Sequence, residues 1–218
     1  MKRGKFIVFE GVGGSGKTTQ IELAKKFLQE NGLKVLATRE PGGVEASEKI
    51  RELIFRLRGE NLIGPEGQMV LFFAARYLWL NSLVKPALEK GINVITDRAH
   101  TSTAAYQGFA EGGDLNQILA ISQIVMEGAR PDAVIFLDIS QETAIKRKEA
   151  ESERDPFDKQ GKDYLKRLII GYRKMAKEGW GDLKWYTVDG EGTIEEVRVR
   201  VSEVLSQIFE MTHFGSVK

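Results

Sequence analysis

The sequence contains no cysteine, which excludes a disulfide framework, a thiolate metal site and a cysteine nucleophile. Histidine is almost as scarce: with only His100 and His213, a phosphohistidine relay has little material to work with. Long apolar runs are missing too. The longest uninterrupted one, Met69 to Ala75, is far short of the roughly 18 residues that span a bilayer. The basic start, Met1 to Lys5, is followed by an apolar stretch, Phe6 to Phe9, too short for a signal-peptide core. We therefore expect no membrane crossing, a mature chain that begins at Met1, and a cytoplasmic location. Charge of one sign is absent as well, since 32 Lys+Arg against 31 Asp+Glu leave +1. No global field points to nucleic acid or an anionic membrane, and any basic site has to be local.

With 218 residues, 29% charged and 42% hydrophobic, the chain can bury a core and still solvate its surface; its length predicts one compact domain over 1–218. No internal repeat, low-complexity tract or proline-rich linker interrupts it. Glycine is the abundant residue, 23 in all, and five of these (Gly4, Gly11, Gly13, Gly14, Gly16) fall within the first sixteen positions. Just before the cluster, Lys5 to Glu10 is a β-branched and aromatic run that reads as a buried strand. Just after it, Ile21, Ala24, Phe27 and Leu28 recur at helical spacing until Gly32. Further strands are expected at Lys34 to Thr38, Asn93 to Asp97, Ala133 to Ile139 and Lys184 to Val188, separated by helical stretches. Strands alternating with helices imply a parallel sheet covered on both faces. Ile194, Val197, Val201, Leu205 and Ile208 predict a last amphipathic helix behind a Thr193–Glu196 capping box. The polar insertion Lys146 to Asp158 reads as a mobile lobe.

Gly11-Val12-Gly13-Gly14-Ser15-Gly16-Lys17-Thr18 matches G-x-x-x-x-G-K-[ST] and lies between strand and helix as that motif requires. The glycines let successive backbone N–H groups converge on phosphate oxygens at a helix N-terminus, where the dipole favours an anion. Lys17 would reach the β- and γ-phosphates, Thr18 would give its hydroxyl to Mg²⁺, and Thr19 continues the nucleotide-binding segment. Four fixed positions coincide by chance in about one chain of this size in a hundred, so the alternative, a glycine-rich turn before a helix, explains the context poorly. A metal in such a site needs a carboxylate at the end of a buried strand. Asp97 and Asp138 both qualify, and both could equally be turn or cap residues. Asp97 is preferred because Arg98 follows it, and an Asp-Arg pair at a strand's carboxyl end can serve metal and phosphate together.

Beyond this motif, Thr38-Arg39-Glu40-Pro41-Gly42-Gly43, Phe72 to Arg76, Val84 to Leu88, Asp97-Arg98, Ser102-Thr103, Ala105-Tyr106-Gln107-Gly108, Arg130-Pro131-Asp132 and Phe136-Leu137-Asp138 resemble the bacterial thymidylate kinase family in order and spacing. The resemblance runs from about Lys5 to Ile208. It implies a P-loop fold with a five-stranded parallel sheet, helices on both faces and a short mobile lid over about 146–158. It also implies transfer of phosphate from MgATP to dTMP, in a homodimer, with no nucleic-acid or membrane partner.

Carried over position by position, the resemblance makes Phe72 the platform under thymine, although periodicity alone would make it core. Arg76 would bond the base, Arg98 would grip the acceptor phosphate, Thr103 with Ser102 would face the base side, and Tyr106 would crowd the ribose 2′ position. Gln107 belongs to the same acceptor set, and Glu40 and Pro41 line its other side. None of Val12, Gly13, Gly14 and Ser15 is basic, so the catalytic charge is expected from the lid, with Arg154 preferred over Arg147. Each could instead be an ordinary exposed charge. The family usually carries Asp or Glu where Gly13 stands, and an aromatic residue or His where Ala99 stands. Two other classes compete: a P-loop ATPase acting as a switch or partner-binding module, and a nucleotide-binding relative without activity. The first leaves the Arg-Glu-Pro-Gly-Gly and Ala-Tyr-Gln-Gly strings unexplained.

Overall fold

A computed structural model describes residues 2–149, Phe157 and 161–211. Five strands, Phe6–Glu10 (β1), Val35–Arg39 (β2), Asn93–Asp97 (β3), Ala133–Asp138 (β4) and Trp185–Asp189 (β5), form one sheet in the order β2-β3-β1-β4-β5. Every pairing is parallel. The expected strands are therefore present, each within a residue of its sequence-based bounds. β1 is buried along its whole length, because it is central and covered on both faces, whereas β2 and β5 lie at the edges, where most residues are half-buried or exposed.

Nine helices connect the strands among the described residues: Lys17–Glu30 (α1), Glu45–Gly59 (α2), Pro65–Trp79 (α3), Lys85–Glu89 (α4), His100–Thr103 (α5), Leu115–Val125 (α6), Gln141–Glu149 (α7), Lys162–Glu178 (α8) and Ile194–Ile208 (α9). The period of two along β1 divides the core. Ile7 and Phe9 face α1 and α9, meeting Ile21, Leu28, Val201 and Leu205. Phe6 and Val8 face the other way, onto Trp79, Leu80 and Val84. Truncating one of these fully buried side chains, such as Leu205→Ala, costs about 2–5 kcal/mol.

α9 begins with the expected capping box: Glu196 N–H donates to Thr193 Oγ1 at 3.3 Å and Thr193 N–H to Glu196 Oε2 at 2.7 Å. Its stripe starts one turn later than expected, because Ile194, in the first turn, is 62% exposed. Two segments with wide, π-type turns, Leu80–Val84 and Ala104–Ala110, extend α3 and α5. Helical periodicity does not reveal such turns, which often mark functional sites. The second carries Tyr106 and Gln107.

All five strands point the same way, so their carboxyl ends, Glu10, Arg39, Asp97, Asp138 and Asp189, share one edge of the sheet. The chain leaves β1 for one side of the sheet and later returns to its other side at β4. This reversal of strand order opens a crevice at the carboxyl ends, where open α/β sheets bind ligands.

Candidate active site

The glycine-rich loop occupies that crevice. Gly11 has φ of +148° and Gly14 +76°, conformations that side chains rarely adopt. A Cβ on Gly11 would lie 2.8 Å from the Leu137 carbonyl oxygen, so the loop packs against β4 too closely for any other residue. Lys17 folds back over the loop, its Nζ donating to Gly11 O at 3.0 Å, Val12 O at 3.1 Å and Ser15 Oγ at 3.4 Å. Burial, then the neighbouring Arg98 guanidinium, lowers its pKa to about 8 despite the opposing pull of Asp97 and Glu10.

The two candidate metal carboxylates have different surroundings. Asp138 receives both of its bonds from Arg173 Nε, at 3.0 Å to each oxygen. Asp97 accepts from Thr18 Oγ1 at 3.3 Å through Oδ2, while its Oδ1 is buried with no partner. A carboxylate oxygen left bare beside a threonine hydroxyl fits a Mg²⁺ site, since this ion takes one or two protein oxygens and fills its other positions with water and phosphate. The described residues contain no cluster of three or more His, Asp or Glu side chains suited to a metal.

Arg98 sits at φ +71°, uncommon for a residue with a side chain. Its Nη1 donates to Gly11 O, Ser102 Oγ and Tyr172 OH, each at 3.1 Å. Behind it stands Glu10, a carboxylate that sequence reasoning passed over as a strand end. Glu10 is fully buried and accepts from Thr101 Oγ1 at 2.6 Å, Ser102 Oγ at 2.7 Å and Tyr172 OH at 2.8 Å. Burial and Glu10 hold the Tyr172 phenol well above its ordinary pKa, so it remains a donor. A buried charge needs several such partners, and here they fix the Arg98–Ser102 turn against the loop. A Glu closing the strand before the glycine loop was the available signal.

Beside Arg98 opens a pocket. All nine residues assigned to the acceptor from the sequence line it: Glu40 and Pro41 after β2, Phe72 and Arg76 on α3, then Arg98, Ser102, Thr103, Tyr106 and Gln107. Arg51, Phe55 and Phe157 complete the lining and had no distinguishing sequence pattern. Phe72 is both core and wall, packed with Ile54 and Phe157 and 6.0 Å from the Phe157 ring. Tyr106 meets Phe157 edge-on at 5.5 Å. The polar side is half-satisfied. Arg76 Nη2 donates to Glu40 Oε2 at 2.7 Å and Thr103 Oγ1 at 3.1 Å. Its Nε and Nη1, and Glu40 Oε1, are buried without a partner. Burial raises the Glu40 pKa against the pull of Arg76. Both residues line the pocket, and unsatisfied donors and acceptors beside a pocket are groups that a polar ligand can complete.

Arg147, on the last turn of α7, is not free. It donates through Nη1 to Gly14 O at 3.3 Å and Gly190 O at 3.1 Å, and through Nη2 to Gly192 O at 3.2 Å, tying the glycine loop to the β5–α9 connection. Arg154 and most of the expected lid lie outside the described residues.

A glycine loop and lysine of the kind that cradles phosphates, next to a pocket that shares Arg98 with it, define a P-loop phosphotransferase with a separate acceptor site. The family model "Thymidylate kinase" matches residues 9–201, and the chain belongs to that family. A thymidylate kinase of Francisella tularensis subsp. novicida (strain U112) is 33% identical over 205 residues, 94% of this chain and 97% of the relative. One of Caldanaerobacter subterraneus subsp. tengcongensis is 39% identical over 176 residues, 81% of this chain and 83% of the relative. The crystal structure of thymidylate kinase from Ehrlichia chaffeensis superposes with a TM-score of 0.74 at 29% identity, covering 93% of this chain and 99% of that one.

Proposed function

We propose that the chain transfers the γ-phosphate of ATP to dTMP, giving dTDP and ADP by in-line displacement with no covalent enzyme intermediate. The observation that carries this is the meeting of the glycine loop and the aromatic pocket at one residue, Arg98, which donates to the loop at Gly11 O and also lines the pocket. The donor phosphates take the backbone N–H groups of Gly11 to Thr18. Lys17 exchanges the carbonyls of Gly11 and Val12 for phosphate oxygens. Thr18 and Asp97 would hold Mg²⁺. When bound, that ion neutralises charge on the β- and γ-phosphoryl oxygens.

On the acceptor side, Phe72 stacks on the base, Arg76 Nη1 and Nε give it donors, Arg98 holds the acceptor phosphate, and Tyr106 stands against a 2′-hydroxyl. Burial of both partners keeps the base from competing water. The charge that meets the transferring phosphoryl group comes from Arg154, because Arg147 is engaged with three glycine carbonyls. The homodimer and a cytoplasmic location complete the proposal. No described helix is long and apolar enough to cross a membrane.

Initial rates of ADP formation with and without dTMP test the reading. Turnover that requires dTMP is expected; turnover indifferent to it means an ATPase, and nucleotide binding without turnover means a sensor. A panel of dTMP, dUMP, dCMP, dGMP and AMP then fixes the acceptor.

A further inference from the structure

Gln107 is buried and lines the acceptor pocket, and its amide is held from behind. Its Nε2 donates to Gln68 Oε1 at 3.1 Å. The same oxygen accepts from Arg58 Nη1 at 2.5 Å, and Gln68 Nε2 donates to Ile63 O at 3.4 Å. Arg58 is held in turn by Glu111, whose Oε1 lies 2.7 Å from the same Nη1. Neither Arg58 nor Gln68 lines the pocket.

A glutamine side chain offers an acceptor at one end and a donor at the other, and its partners decide which end faces where. Here the chain begins with a group that has no choice, because a guanidinium only donates. The Gln68 atom facing Arg58 is therefore the oxygen, which leaves its NH₂ for the Ile63 carbonyl, itself only an acceptor. The Gln107 atom facing Gln68 Oε1 is in turn the NH₂. What remains to Gln107 is Oε1, which accepts from no described protein group. The pocket is thus offered an acceptor whose polarity is set two side chains away.

We propose that Arg58, acting through Gln68, locks the Gln107 amide with its oxygen toward the acceptor pocket, making Arg58 and Gln68 positioning residues for acceptor specificity. The inference rests on the pocket receiving the acceptor base. The class of ligand it selects has an N–H donor on the pairing edge, as the imide N3–H of thymine or uracil provides. Cytosine presents a bare N3 there, so two acceptors would face each other in a buried site. Without the lock the amide can turn over, and both polarities become available.

The test is the ratio of kcat/KM for dTMP to that for dCMP, with MgATP, in the full-length protein. Gln68→Leu removes the acceptor that holds Gln107, so the ratio should fall at least about tenfold, the scale of one mispaired buried polar group. Gln68→Glu keeps an oxygen for both Arg58 and Gln107, gives up only the long 3.4 Å bond to the Ile63 carbonyl, and should hold the ratio within about threefold of wild type. If Gln68→Leu does not fold, Gln68→Met, with an unbranched side chain, carries the same expectation. A folded Gln68→Leu or Gln68→Met that lowers both specificity constants equally overturns the positioning role and leaves only a structural one. A Gln68→Glu enzyme as relaxed as Gln68→Leu overturns it as well. A wild type with no dTMP-dependent turnover overturns the proposed function itself and takes this inference with it, an outcome distinct from the others.

Discussion

Lys17→Met should inactivate the enzyme and at the same time stabilise the ligand-free fold. The Lys17 ammonium is held at a pKa of about 8 instead of 10.5, and the group is only 6% exposed. At about 1.4 kcal/mol per unit, burial together with Arg98 destabilises the charged form by about 3 kcal/mol. Between pH 8 and 10.5 the unfolded chain keeps a proton that the folded one has lost, so stability rises with pH through that window. Below it, the whole penalty is present. Methionine removes the charge and with it the penalty, so chemical denaturation at pH 7 should show the variant more stable by up to about 3 kcal/mol.

Phosphate oxygens reverse the imbalance. With ATP bound, Lys17 should be fully protonated, and binding at pH 8.5 should take up about 0.8 proton, against almost none at pH 6.5 from this group. Calorimetry in buffers of different ionisation enthalpy reads that number at pH 8.5, where ATP itself is fully ionised. In Lys17→Met the uptake should vanish, and dTMP-dependent turnover should fall at least about 100-fold, the scale of one preorganised charge on a transferring phosphoryl group. Proton uptake at pH 8.5 equal in wild type and variant, or turnover within about threefold of wild type, would refute the assignment of Lys17.

Tyr106→Ala should raise use of the ribonucleotide TMP relative to dTMP, because the ring no longer stands against the 2′-hydroxyl; an unchanged ratio of specificity constants counts against that role. Arg154→Ala should lower kcat and kcat/KM together while ATP binding stays intact, whereas Arg98→Ala should also weaken dTMP binding, since its phosphate contact exists in the ground state. Full kcat in Arg154→Ala would move the catalytic charge elsewhere. Burial, then Arg76 and Arg130, depresses His100 to about 3 from its ordinary 6.5, so between these values only the unfolded chain is protonated. Stability should drop by about 1.4 kcal/mol for each pH unit below 6.5. His100→Asn should flatten that slope in denaturation series from pH 6.5 to 4, and an unaltered slope would exclude His100 as its source.

The strands and the glycine loop were legible because they are written in contiguous residues. Phe6 to Glu10 is a short apolar run that only a covered strand accommodates, and Gly11 to Thr18 prescribes its own backbone through positive φ values. The family strings singled out residues that line one pocket for the same reason, each being a few neighbours in a row.

What tertiary structure decided was the pairing of side chains far apart in sequence. Asp97 and Asp138 both close buried strands, and the sequence prefers Asp97 only for its neighbour Arg98; the tertiary structure adds that α8 brings Arg173 onto Asp138. Glu10 read as a strand end, and only the return of α8 puts Tyr172, 162 positions away, on its oxygen. From sequence Arg147 is the second choice for the lid charge, and only the connection between β5 and α9 supplies the carbonyls of Gly190 and Gly192 that engage it. The orientation of Gln107 depends on Arg58, which reaches it only because α2, α3 and the wide-turn segment after α5 converge. Backbone conformation follows from steric and solvation preferences that act over a few residues. The partner a charged or amide group finds depends on which crossover brings which helix to the carboxyl edge of the sheet, and no local pattern records that.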